Sequence, residues 1–101
     1  MTSNFGVIIF DSDDQAYQEW AENHPNGFIV NTGRDIDPKY LSLHRSSCRL
    51  IRQYNRMAKP GGFTERTYIK ACSEDIDSLS RWAEQNGGPS GGFTKRCSFC
   101  I

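Results

Sequence analysis

The chain has 101 residues, room for one small domain, and only 37% of them are apolar. Its mean hydropathy is −0.64. Such a core is modest, and small cores are often completed by a metal, disulfides or a partner. Two Trp, six Phe and four Tyr supply enough large apolar area to argue against disorder. No apolar run approaches the ~20 residues that span a bilayer, and no basic stretch followed by an apolar one marks a secretory leader. The expected setting is therefore the reducing cytoplasm. There a cysteine cluster reads as metal or redox chemistry rather than as disulfides.

The net charge is zero, with twelve bases against twelve acids, but the charges are segregated. Before Pro38 the acids are Asp11, Asp13, Asp14, Glu19, Glu22, Asp35 and Asp37, and the one base is Arg34. From Pro38 to Lys70 the bases are Lys39, Arg45, Arg49, Arg52, Arg56, Lys59, Arg66 and Lys70, against Glu65 alone. The chain is a charge dipole in sequence, which its overall balance conceals.

Phe5 to Phe10, short, β-branched and aromatic, predicts a buried first strand. Asp11 to Asp14 offer caps and acidic first-turn residues for a helix over about 13–23, with Tyr17, Trp20 and Ala21 as its inner stripe. His24-Pro25-Asn26-Gly27 ends that helix. Phe28 to Asn31 predicts a second strand. Lys39 to His44 predicts a third, with Tyr40 and Ser42 on one face and Leu41 and Leu43 on the other.

Ser46 or Ser47 can cap a helix running to about Ala58, with Leu50, Ile51, Tyr54 and Met57 as its apolar side. Thr67 to Cys72 predicts a fourth strand. Ser73 to Asp77 opens a last helix that turns Ile76, Leu79, Trp82 and Ala83 inward. Residues 86–93, rich in Gly and Pro, read as a flexible arm that carries the C-terminus back to the body. The expectation is one α/β (α+β) domain over 1–101, with a small mixed sheet of about four strands, flanking helices and a C-terminus stapled by zinc.

The staple rests on two ligand pairs. His44 and Cys48 are separated by three residues, and Cys97 and Cys100 by two. Each spacing lets two side chains grip one ion, and together they supply the four ligands of a tetrahedral structural zinc site. Two other readings stay open for these thiols: ordinary buried or exposed cysteines, and a redox pair at Cys97 and Cys100. A redox pair normally opens a helix, where the helix terminus lowers a thiol pKa, and this pair follows a glycine arm instead. Cys72, at a strand end, reads as a small core residue and as the reserve ligand if His44 points away.

His44-Arg45-Ser46-Ser47-Cys48-Arg49 is similar to the first ligand pair of the Ada-type metal-binding domain, where a strand delivers Cys-Arg-Pro-Ser-Cys-Arg. A further strand, a helix, and then Lys95-Arg96-Cys97-Ser98-Phe99-Cys100 follow in the same order. The resemblance covers roughly residues 40–100. It implies a zinc-stabilised α/β module that binds nucleic acid. Ada-type repair proteins use the first Cys of this motif as a thiolate that accepts a methyl group. Here His44 stands in that place, and imidazole ligates zinc without being that thiolate. Methyl transfer does not carry over, but the scaffold does.

Arg45, Arg49, Arg52 and Arg56 step by four, three and four, a shared helical face extended by Lys59. Such a stripe fits a phosphate backbone. It also fits a solvated face, or an acidic protein partner. Asp11, Asp13 and Asp14 read as helix caps rather than a divalent-metal site. No phosphate loop, nucleophile elbow or other catalytic set is present in the sequence. The expected function is a non-catalytic, zinc-stabilised module that binds nucleic acid, DNA in the first instance, through Arg45, Arg49, Arg52, Arg56 and Lys59. The alternatives are a protein-interaction module with an acidic partner, or a thiol redox protein.

Overall fold

The computed structural model describes residues 6–52 and 62–101. Strand β1 spans Ile8–Phe10, and Phe5, expected to begin it, lies outside the described residues. Helix α1 spans Asp14–Asn23 and starts where Asp13 turns its carboxylate onto the Ala16 N–H at 2.9 Å. That contact satisfies one of the donors that every helix start leaves open. It ends where the His24 ring meets the Trp20 carbonyl at 2.7 Å and the His24 carbonyl accepts from the Gly27 N–H.

Strand β2, Phe28–Gly33, and strand β3, Ser42–Arg45, form an antiparallel pair. Helix α2 is described over Arg49–Arg52. The remainder of the expected helix, with Tyr54, Arg56, Met57 and Ala58, lies outside the described residues, as does Lys59. Strand β4 is Tyr68–Ser73, and helix α3 is Ile76–Gln85. Asp75 caps α3 by accepting from the Asp77 N–H and the Ser78 hydroxyl.

A fifth strand, β5 at Lys95–Arg96, was not foreseen. The sheet runs β1-β4-β2-β3-β5. Both β1 and β2 are antiparallel to β4, so they are parallel to each other and α1 crosses over the strand between them. At the far edge β5 is parallel to β3, with Ser42 opposite Lys95 and Leu43 opposite Arg96.

The two faces carry separate cores. Val30, Leu41, Leu43 and Ala71 pack against Leu79, Trp82 and Ala83 of α3. The opposite face sets Ile29 and Cys72 against Tyr17 and Ala21 of α1, with Cys48, Ile51, Phe63 and Cys97 completing the layer. The strand alternation expected for residues 40–44 holds here: Leu41 and Leu43 enter the α3 core, and Ser42 and His44 face the other way. Trp20, expected in the inner stripe of α1, is only half-buried and stacks on His24 at 4.4 Å between centroids.

Two segments depart further from expectation. Residues 86–93, expected as a flexible arm, are tied to α3 instead. The Gly88 N–H donates to the Ala83 carbonyl, the Gly91 N–H to the Glu84 carboxylate, and the Ser80 hydroxyl to the Gly91 carbonyl. Gly92 sits at φ +89, where a Cβ would lie 2.5 Å from the Ser80 carbonyl oxygen, so only glycine fits. Asp14, expected as a first-turn acid, is buried and accepts from the Thr64 N–H and hydroxyl, each at 2.7 Å. The charge is spent on anchoring the segment that leads into β4.

Candidate metal centre

His44 stands near the end of β3, on the face toward α1. The chain then turns sharply, with the Cys48 N–H donating to the Arg45 carbonyl at 3.0 Å. Ser46 locks this turn. It is fully buried, its N–H reaches the Gly27 carbonyl at 2.9 Å, and its hydroxyl reaches the Ala21 carbonyl at 3.2 Å. Cys48 is thereby swung under His44. From the other edge, the Cys97 N–H donates to the Leu43 carbonyl at 2.9 Å, which continues the β3–β5 pairing by one residue. A tight turn closes behind it, with the Cys100 and Ile101 N–H groups both donating to the Cys97 carbonyl.

These turns bring one ligand atom each from His44, Cys48, Cys97 and Cys100 within 4.8 Å of one another. The sulfurs of Cys48 and Cys97 are 4.0 Å apart. A tetrahedron with ~2.3 Å metal–sulfur arms has edges of about 3.8 Å, so the sulfurs already stand close to that spacing. All four cysteines are free thiols. Cys72 is not in the cluster. It is fully buried in the core of the α1 face, and burial pushes its thiol far up.

The donor chemistry suits a cation. His44 Nδ1 is buried with no hydrogen-bond partner, whereas Nε2 lies 3.3 Å from the Ser42 hydroxyl. A hydroxyl on Nε2 fixes the ring and leaves the Nδ1 lone pair for a metal, the usual support behind a ligating histidine. Burial, helped by the charges of Lys70 and Lys95, lowers the His44 pKa to about 4. The ring is thus neutral, the form that ligates.

Burial raises the Cys97 thiol, but N–H donors at Phe99 and Cys100, with the Cys100 and Cys48 side chains, outweigh it and bring it below its ordinary value. Cys100 moves the other way, to about 12. Burial is the main cause, with Cys48 and Cys97 adding to it against the Arg45 N–H. Three sulfurs this close cannot all ionise together without a positive charge among them, which a divalent ion would supply.

The basic residues are less uniform than their spacing suggests. Arg45 is not on the helix: it ends β3. Its N–H donates to Cys100 Sγ at 3.3 Å, its Nε to the Cys100 carbonyl at 2.8 Å, and its guanidinium lies over the Phe28 ring. It buttresses the cluster. Arg49 is exposed, and Arg52 is half-buried with Nε 3.4 Å from the Gln18 amide oxygen of α1. Arg56 and Lys59 lie outside the described residues.

Two clefts border the cluster. One, of about 220 Å³, is lined by Ser47, Cys48, Arg49 and Arg52. The other, of about 180 Å³, lies against His44 and Cys97. Sequence reasoning gave no role to Ser42, Ser46, Lys95 or Phe99 at the site, although Ser46 and Phe99 lie between ligands in the sequence and Ser42 precedes His44 by two residues on a strand.

Comparison with protein-family models, with curated proteins and with solved structures found no match to this chain. No match assigns the chain to the Ada-type domain, and what the structure shows of that resemblance is a His/Cys cluster close enough to hold a metal ion.

Proposed function

We propose that this chain is a non-catalytic module, held together by a structural zinc ion, that binds nucleic acid through the cationic surface beside the metal. The observation that carries the reading is the convergence of His44, Cys48, Cys97 and Cys100 within 4.8 Å. Three thiolates and one neutral imidazole are a soft, four-membered donor set that suits zinc. Four protein ligands leave no coordination position for water or substrate, which makes the role structural rather than catalytic. The same convergence favours metal over dithiol chemistry at Cys97 and Cys100, because each thiol has more than one sulfur neighbour.

Support for a polyanion comes from the clefts. The one beside Cys48 offers two guanidinium groups and a hydroxyl, and no carboxylate lines it among the described residues. Lys95 and Arg96 stand exposed on β5. Phosphate contacts of this kind give affinity without sequence preference.

The test is a titration of short labelled strands and duplexes with metal-loaded protein at several salt concentrations. Affinity falls with salt, and Arg49→Glu weakens binding to all sequences about equally while reducing the salt slope by roughly one. Undiminished binding by a folded Arg49→Glu protein rejects the cleft as the contact surface. Fixed-stoichiometry binding to an acidic protein, with no response to nucleic acid, moves the assignment to a protein-interaction module.

A further inference from the structure

The second cleft differs from the first in chemistry. Its lining includes Tyr40, Ser42, Leu50, Lys95 and Phe99 beside His44, and it contains no carboxylate among the described residues. Few large apolar side chains stand exposed among the described residues, and two of them, Leu50 at 63% and Phe99 at 62%, line this one pocket. Exposed apolar groups scattered singly need no account, but two on one small concavity do.

Both sit next to ligands, Leu50 at the start of α2 and Phe99 in the C-terminal turn. Leu50 follows Cys48 by two residues, and Phe99 lies between Cys97 and Cys100. The ion that fixes the turns would therefore fix the walls. Tyr40 is held as well, since its hydroxyl accepts from the Asn31 amide at 3.2 Å and its ring packs near Tyr68 at 6.0 Å.

The occupant must match an apolar and aromatic lining, the buried Ser42 hydroxyl and the exposed Lys95 cation. A plain aliphatic side chain leaves Ser42 and Lys95 unused. A cationic ligand meets Lys95 with no acid to offset it. A nucleobase satisfies all three, with a ring face for Phe99, edge donors and acceptors for the hydroxyl, and an attached phosphate for Lys95. We infer that this pocket takes one unpaired nucleobase, so that the module binds single strands in preference to duplex, whose bases show no free face. The inference rests on the nucleic-acid reading above and adds the form of the nucleic acid.

The experiment compares three labelled probes of one length against the metal-loaded protein: a mixed-sequence single strand, its duplex, and a strand with the same phosphates but abasic sites. The single strand binds most tightly, and removing bases weakens it roughly 5-fold or more, the effect of losing a base–aromatic stack. Phe99→Ser, at an exposed position, gives a comparable loss on the single strand with an unchanged salt slope, because no phosphate contact is removed. Equal binding of all three probes, with no effect of Phe99→Ser, overturns the base pocket and leaves the phosphate reading standing. No binding of any probe by the unaltered protein overturns the phosphate reading, and the pocket assignment with it.

Discussion

Removing the metal is the perturbation that reaches furthest. A metal held here would join Cys48 to Cys97 across 49 residues of chain. A cross-link closing a loop of that length restricts the unfolded chain by about 4 kcal/mol in the chain-entropy estimate. For a domain of this size that lowers the melting temperature by roughly 15–20 °C. The loss concentrates at one edge. Strand β5 is two residues long, and without the ion it is held by the Thr94 and Cys97 N–H bonds to the Leu41 and Leu43 carbonyls and by Arg45 on Cys100.

The α3 core contains no ligand and is expected to persist longest. The assay is elemental analysis of protein purified without added metal, followed by melting curves with and without a strong chelator. One zinc per chain, a large downward shift on chelation and a Cys97→Ser variant indifferent to chelator are the expected results. A melting temperature unmoved after verified metal removal refutes the staple. A metal-free protein with a Cys97–Cys100 disulfide supports redox chemistry in its place.

Lys70 is almost fully buried, with its ammonium donating to Asn31 Oδ1 and the Phe63 carbonyl, each at 2.7 Å. Burial, partly offset by Cys72 and Asp14, lowers its pKa from 10.5 to about 8. Between those values the unfolded chain binds more protons than the folded one, so the stability this group contributes rises with pH across that window and is flat below it. The stability gap between wild type and Lys70→Met then changes by on the order of 3 kcal/mol at most in urea melts, and a constant gap refutes the buried ammonium. Trp82→Ala, in the α3 core, loses about 3–5 kcal/mol by denaturant unfolding. The half-buried Trp20→Ala loses less, roughly 1–2 kcal/mol, and equal losses contradict the placement of Trp20. Gly92→Ala and Gly91→Ala both strain a left-handed backbone, by about 1–3 kcal/mol. Only Gly92→Ala also drives a methyl into the Ser80 carbonyl, since Gly91 has nothing within 4 Å, so Gly92→Ala melts lower.

Local patterns carried much of the fold. The acidic stretches 11–14 and 73–77 that open α1 and α3, the stop at Pro25 and the alternation of Leu41 and Leu43 depend on neighbours in the chain, and each was legible for that reason. The arginine stripe was not. Helical spacing implies a shared face only while the helix continues, and Arg45 falls on a strand, paired opposite Phe28. Strand β5 was hidden too. Two charged residues carry no strand signal, and they pair only because β3 offers an open edge. The arm at 86–93 looked mobile because glycine usually loosens a chain, yet Gly88 and Gly92 permit a backbone approach to α3 that no side chain would allow.

The sequence by itself determined the donor types and their short spacings, because a strand or a tight turn converts three or four residues into a fixed reach. It also determined that such a small apolar fraction wants support beyond its own packing. The tertiary structure alone decided that two pairs 49 residues apart share one centre. The parallel seating of β5 on β3 sets Cys97 beside His44, and the burial of Ser46 under α1 swings Cys48 beneath them. Long-range pairing of this kind follows from which edges and faces remain open once the sheet has formed, and no local pattern encodes it.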